Sequence, residues 1–127
     1  MRHPRSLYMT DAIVALEGAQ NPAAFGNYPR LLQYARDFKL QSLEETVHKM
    51  TGAPAQRFGL ADRGTLRKGC AADITVFDWN AVRDNNTVAK TDQTPTGIER
   101  VFINGVPVHG PQPLPGQPPA GRVGRVL

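Results

Sequence analysis

The sequence predicts an α/β fold, and three observations carry that reading. An almost unbroken apolar run, Leu7–Leu16, has the composition of a strand buried on both faces. Two stretches between Tyr28 and Gly52 repeat apolar residues at helical spacing. The second half of the chain changes to short β-rich runs, Asp73–Trp79 and Ile98–His109, the latter folded about Asn104-Gly105.

The elements follow in order. In Leu7–Leu16 only Thr10 and Asp11 interrupt the apolar run, and a loop rich in Gly, Asn and Pro follows from Glu17 to Asn27. The first helix is predicted from Tyr28, with Pro29 in its first turn, where a missing N–H costs nothing. Leu31, Ala35 and Phe38, with Leu32 beside them, form its apolar stripe. Ser42-Leu43-Glu44-Glu45 reads as a capping box that opens a second helix, with Leu43, Val47 and Met50 facing the core and Gly52 as its stop. Pro54 opens a third, short helix that Gly59 closes.

From Thr65 the pattern is that of strands. Asn104-Gly105 is the pair that best tolerates the positive φ of a type I′ hairpin turn, and Pro107 places the second hairpin strand at an edge. The stretch from Asn80 to Gly97 is polar and turn-rich. Gly110–Gly121 is dominated by Pro and Gly and reads as an extended wrap or linker, or as a polyproline recognition segment. The domain reading is 1–64 for the strand and helices, 65–109 for the β portion with its hairpin, and 110–127 for the Pro/Gly-rich tail.

Composition narrows the function classes. The 127 residues suffice for one modest domain with a core. The formal net charge is +4, but the basic residues are scattered, with neither the dense stripe nor the docking motif that nucleic-acid binding needs. A solvated, mildly cationic surface accounts for them. No window is long and apolar enough to span a membrane, and the N-terminus has no signal-peptide pattern. Cys70 is the single cysteine, which fits a reducing, cytoplasmic setting and a small buried residue better than a catalytic thiol.

Asp11 is the residue that chemistry would single out. A lone carboxylate in an apolar strand is costly to bury without a metal, a cation or backbone donors. At the C-terminal end of a barrel strand it could touch a metal, take a proton from water and pass it to a leaving nitrogen. A turn aspartate with no chemistry is the other reading. His3, His48 and His109 are far apart and form no HxH or HExxH pattern, and a zinc site needs at least three protein ligands. Asp73 and Asp78 flank a strand and read as acceptors for turn amides.

A set of motifs then recurs in a known order. They are Met9-Thr10-Asp11-Ala12-Ile13, Phe25-Gly26-Asn27-Tyr28-Pro29-Arg30, the run from Ser42 to Thr51, Phe58-Gly59-Leu60-Ala61-Asp62-Arg63-Gly64, Gly69-Cys70-Ala71-Ala72-Asp73-Ile74, and Ile103-Asn104-Gly105. On these residues the chain resembles the C-terminal part of amidohydrolase-superfamily enzymes, in particular the N-acyl-D-amino-acid deacylase (D-aminoacylase) branch. The likeness runs to about His109.

The resemblance implies the C-terminal end of a TIM-like barrel, with Leu7–Leu16 as its last strand and the helices closing it, plus part of a small β-sandwich domain. It implies an amidohydrolase acting on N-acyl-D-amino acids, with one or two zinc ions in the intact enzyme. Asp11 falls on the catalytic aspartate that shuttles the proton and contacts the metal, and Arg30 on the substrate end. The HxH pair, the bridging ligand and the later histidines of such enzymes have no counterpart in this sequence, and the loop Glu17–Ala24 after Asp11 lacks the His-Pro-Arg often found just before the Gly-x-x-Pro-Arg segment. The expectation is therefore a chain that is inactive and zinc-free alone, whose partners are upstream barrel segments and a small N-acyl amino acid, and not nucleic acid or membrane. A non-catalytic assembly domain built from the same tail is the alternative.

Overall fold

The computed structural model describes residues 1–15 and 17–111. The expectation for the Pro/Gly tail beyond Pro111 lies outside the described residues, as does the final residue of the Leu7–Leu16 run. Three helices, α1 (Ala23–Asp37), α2 (Leu43–Met50) and α3 (Gly52–Arg57), precede three strands, β1 (Ile74–Phe77), β2 (Ile98–Ile103) and β3 (Val106–His109).

α1 begins earlier than the predicted Tyr28. Asn21 explains the difference: its Oδ1 accepts the Ala23 N–H at 3.0 Å, and its carbonyl accepts the Ala24 N–H at 3.0 Å. Pro29 therefore lies inside the helix and not in its first turn. Leu32 and Ala35 are buried as predicted, but Phe38 is exposed. It sits at the C-cap, where the helix unwinds; Lys39 takes φ +48° and Leu40 N–H returns to the Ala35 carbonyl at 3.0 Å.

α2 begins at the predicted cap, and the Ser42 Oγ accepts the Glu45 N–H at 3.1 Å. The reciprocal half of the box differs from expectation: the Glu45 carboxylate turns forward to Lys49 Nζ at 3.4 Å. The Glu44 carboxyl is held below its usual range by its own backbone N–H and by the Ser42 hydroxyl. Leu43, Val47 and Met50 are only half-buried, and the buried residues of α2 are polar, Thr46 and Lys49. Thr46 is satisfied, donating to the Ser42 carbonyl at 2.7 Å and accepting from Gln41 Nε2 at 2.9 Å. Thr51 breaks the helix, and Gly52, expected as a stop, opens α3. Gly59 closes α3 as predicted, at φ +70°, with Leu60 N–H on the Ala55 carbonyl at 2.8 Å.

The strands form one antiparallel sheet in the order β1-β2-β3. Asn104 and Gly105 both have positive φ, +50° and +80°, as a type I′ turn requires, and Pro107 lies on the edge strand β3. The flanking aspartates satisfy backbone donors: Asp73 Oδ1 accepts the Asn104 N–H and Asp78 Oδ1 the Asn80 N–H, each at 2.8 Å. Arg63 ties this end of the sheet to the preceding turn, donating to Asp73 at 2.9 Å and to Asp62 at 3.2 Å. Cys70 is half-buried in that turn, where Arg67 Nε reaches its sulfur at 3.3 Å.

The first predicted strand is a correction. Residues 7–15 run without strand pairing, and Ile13 is 84% exposed. A strand is stabilised by a ladder to a neighbour, and no described segment lies alongside to supply one. No barrel strand is therefore formed among the described residues.

Helices and sheet meet through α1 and the loop after β1. Arg36 Nη1 donates to the carbonyls of Trp79 at 2.6 Å and Val82 at 3.0 Å. Val82 is fully buried. Gly26 is buried where the same loop crosses α1, and an added methyl there would overlap the Asp84 carboxylate.

Candidate functional site

Asp11 lies on the extended segment, exposed, and its carboxylate has no hydrogen bond or ion pair among the described residues. The desolvation penalty expected for a carboxylate in a buried strand does not arise in this arrangement. The backbone around it is anchored on both sides. Upstream, Asn27 Nδ2 donates to the Met9 carbonyl at 2.7 Å and to Thr10 Oγ1 at 3.2 Å. Downstream, the Gln20 amide makes a double bridge to Ala15, accepting its N–H at 3.0 Å and donating to its carbonyl at 3.1 Å. The Tyr8 N–H adds a bond to the Lys49 carbonyl at 3.1 Å.

Arg30, the other predicted site residue, is engaged within the chain. Its Nε and Nη2 both reach Asp84 Oδ2 at 2.5 Å, in a pair whose carboxylate is 3% exposed and whose guanidinium side chain is 42% exposed. Asp84 also accepts from the backbone and side chain of Asn86, at 3.0 and 2.7 Å, and its own N–H donates to Gln33 Oε1 at 3.3 Å. Arg30 and Asp11 thus belong to two neighbouring networks joined by the first turns of α1.

The histidines are not gathered. His3, His48 and His109 are all exposed. Among the described residues no three His, Cys, Asp or Glu side chains are grouped so as to hold a metal ion. Asp11 fits a single metal contact or a proton carrier, and the remaining ligands of a zinc centre would have to come from elsewhere. Among the described residues no helix is long and apolar enough to cross a membrane.

Sequence reasoning missed Asn27, Lys49 and Asp84. Asn27 stood in the Phe25–Arg30 motif, but nothing in its type tells that it reaches back across the loop. Nothing in the type of Lys49 marks it, yet its ammonium is buried and donates to the carbonyls of Met1 at 2.9 Å and His3 at 2.8 Å and to Ser6 Oγ at 3.1 Å. Asp84 sits in a polar stretch with no periodicity to mark it.

The amidohydrolase family matches residues 9–109, most of the chain. The chain belongs to the amidohydrolase family. It is 47% identical to a D-aminoacylase of Alcaligenes xylosoxydans xylosoxydans over 104 residues, which is 81% of this chain and 21% of that enzyme. It is 43% identical to an N-acyl-D-glutamate deacylase of the same organism over 108 residues, 84% of this chain and 21% of the relative. Among solved structures, a D-aminoacylase described as defining a novel subset of amidohydrolases superposes with a TM-score of 0.70 at 41% identity, covering 77% of this chain and 21% of that one. An N-acyl-D-glutamate deacylase from Bordetella bronchiseptica, complexed with zinc and a phosphonate mimic of the tetrahedral intermediate, superposes at 0.74 and 38% identity, covering 85% and 22%. This amidohydrolase chain spans about a fifth of the length of the relatives it matches.

Proposed function

We propose that this amidohydrolase chain is the C-terminal part of a deacylase that hydrolyses the amide of N-acyl-D-amino acids, with Asp11 as its proton shuttle. The observation that carries the reading is the Asp11 carboxylate itself: exposed, without a partner among the described residues, on an apolar segment anchored on both sides. The relatives named D-aminoacylase and N-acyl-D-glutamate deacylase support the substrate class. In the reaction water adds through its oxygen to the acyl carbon. Asp11 takes a proton from that water and delivers it to the amide nitrogen as the C–N bond breaks, so that acid and free amine leave. A zinc ion, held mainly by residues outside this chain, would polarise the amide carbonyl and activate the water. Arg30, oriented by Asp84, would lie toward the substrate end. The extended segment 7–15 would complete its ladder against upstream barrel strands, and the chain alone would not turn over substrate.

The experiment is a hydrolysis assay on N-acyl-D- and N-acyl-L-amino acids, using the polypeptide encoded together with its upstream reading frame. The wild type should hydrolyse the D series, and Asp11→Asn should lower kcat by about 10²- to 10⁴-fold. Equal turnover by Asp11→Asn would remove its role. No turnover of either series by the wild type would favour a non-catalytic assembly domain.

A further inference from the structure

We infer that Asn27 is a positioning residue for Asp11. The inference rests on the deacylase reading for its catalytic consequence, but the contact itself belongs to this chain. Between Leu7 and Ala15 the described backbone and side chains make few bonds to the rest of the molecule. Tyr8 is tied to Lys49 and Ala15 to Gln20, and between those ends Asn27 provides the tie.

Its geometry suits the task. The Nδ2 group divides its two hydrogens between the Met9 carbonyl at 2.7 Å and Thr10 Oγ1 at 3.2 Å. Holding a carbonyl on one side of Thr10 and the Thr10 side chain itself restricts the torsions that set where the next residue, Asp11, projects. The donor is held from behind. Its neighbour Gly26 packs against Asp84 and Asn86, and Arg30, on the following turn, is paired to Asp84. A continuous path of contacts therefore runs from the loop after β1, through α1, to the residue preceding Asp11. A misplacement of a catalytic group by about 1 Å, caused by a change away from the chemistry itself, can cost on the order of 100-fold in rate.

Two measurements test it. On the chain itself, endoproteinase Asp-N cuts the Thr10–Asp11 bond when the segment opens. Asn27→Ala should speed that cut by roughly tenfold, the equivalent of one or two lost hydrogen bonds, while the cut before Asp62 keeps its rate. In the longer polypeptide, Asn27→Ala should lower kcat by up to about 100-fold with KM little changed, and Asn27→Gln, which keeps the amide, should restore part of it. An unchanged cleavage rate at Thr10–Asp11 would overturn the inference. So would faster cleavage with undiminished kcat. If the wild-type longer polypeptide proves inactive, the deacylase reading falls, and the Asp-N rates alone decide whether Asn27 holds Asp11 in place.

Discussion

Arg30 and Asp84, separated by 54 positions in sequence, form a pair in which two guanidinium nitrogens share one carboxylate oxygen. The pair joins the middle of α1 to the loop after β1, and Asn86 completes the coordination of the carboxylate. It is a charged bond between the helical and sheet halves, beside the Arg36 bonds to the Trp79 and Val82 carbonyls and the Arg63–Asp73 pair.

Removing the carboxylate should loosen that junction. Asp84→Ala leaves the Arg30 charge without its partner and frees two donors of Asn86. Because the Arg30 side chain is 42% exposed, water replaces part of what is lost. The expected cost is about 2 kcal/mol, read as a lower midpoint in urea unfolding. An unchanged midpoint would show that the pair contributes nothing net.

Gly26 offers a test in which two magnitudes oppose each other. Alanine is the better helix former by roughly 1 kcal/mol, so Gly26→Ala would stabilise an open helix. Here the added methyl would overlap the Asp84 carboxylate and come within 2.6 Å of Asn86 Nδ2. Overpacking of this kind costs about 1–3 kcal/mol, so the clash should win and the melting temperature should fall. In the double variant with Asp84→Ala the carboxylate is gone, and the Asn86 amide, released from it, is free to give way to the methyl. Gly26→Ala should then be neutral or stabilising, a coupling that a double-mutant cycle would read directly.

Much of the fold was legible where local chemistry decides it. The Asn104-Gly105 turn, the Ser42 cap and the Gly59 stop depend on residues adjacent in sequence, and each appears where its residue types require. Residues 7–15 are not paired as the strand signal predicts, because that signal reports a preference for burial between neighbours, and no described neighbour is alongside. The start of α1 was missed because Asn21, in the loop, outranks Pro29 as an N-terminal signal once its side chain takes the Ala23 N–H. Asp11 stands out in the sequence by its type and its place in an apolar run, whereas Asn27 and Asp84 make contacts over long sequence separations that no periodicity encodes.

Lys49 should matter more than its type suggests. Its side chain is 3% exposed, and its ammonium serves three oxygens of the Met1–Ser6 turn besides the Glu45 carboxylate. Lys49→Met keeps the length but leaves those acceptors to find water. The turn should release, at a cost of about 1–3 kcal/mol, and tryptic cleavage after Arg5 should accelerate. If cleavage after Arg5 is no faster in Lys49→Met, the turn is held by other means.

Tyr8 sets the behaviour at high pH. It packs beside α2, and its hydroxyl and Gln41 Oε1 are both buried, with neither in a well-formed hydrogen bond. Burial raises the phenol above its ordinary value of 10.0; Gln41 acts in the opposite sense, and Glu45 adds to the rise. A group that holds its proton more tightly when folded contributes stability that is fully present below its unfolded pKa. That contribution is lost as pH climbs through the folded pKa. Wild-type stability relative to Tyr8→Phe should therefore be constant through neutral pH and decline above about pH 10. Urea midpoints of the two proteins across pH 7 to 11 would show it as a wild-type midpoint that falls relative to that of Tyr8→Phe only at the alkaline end. A wild-type midpoint that instead rises relative to that of Tyr8→Phe with pH would mean that the folded chain favours the phenolate, and that Gln41 rather than burial governs the site.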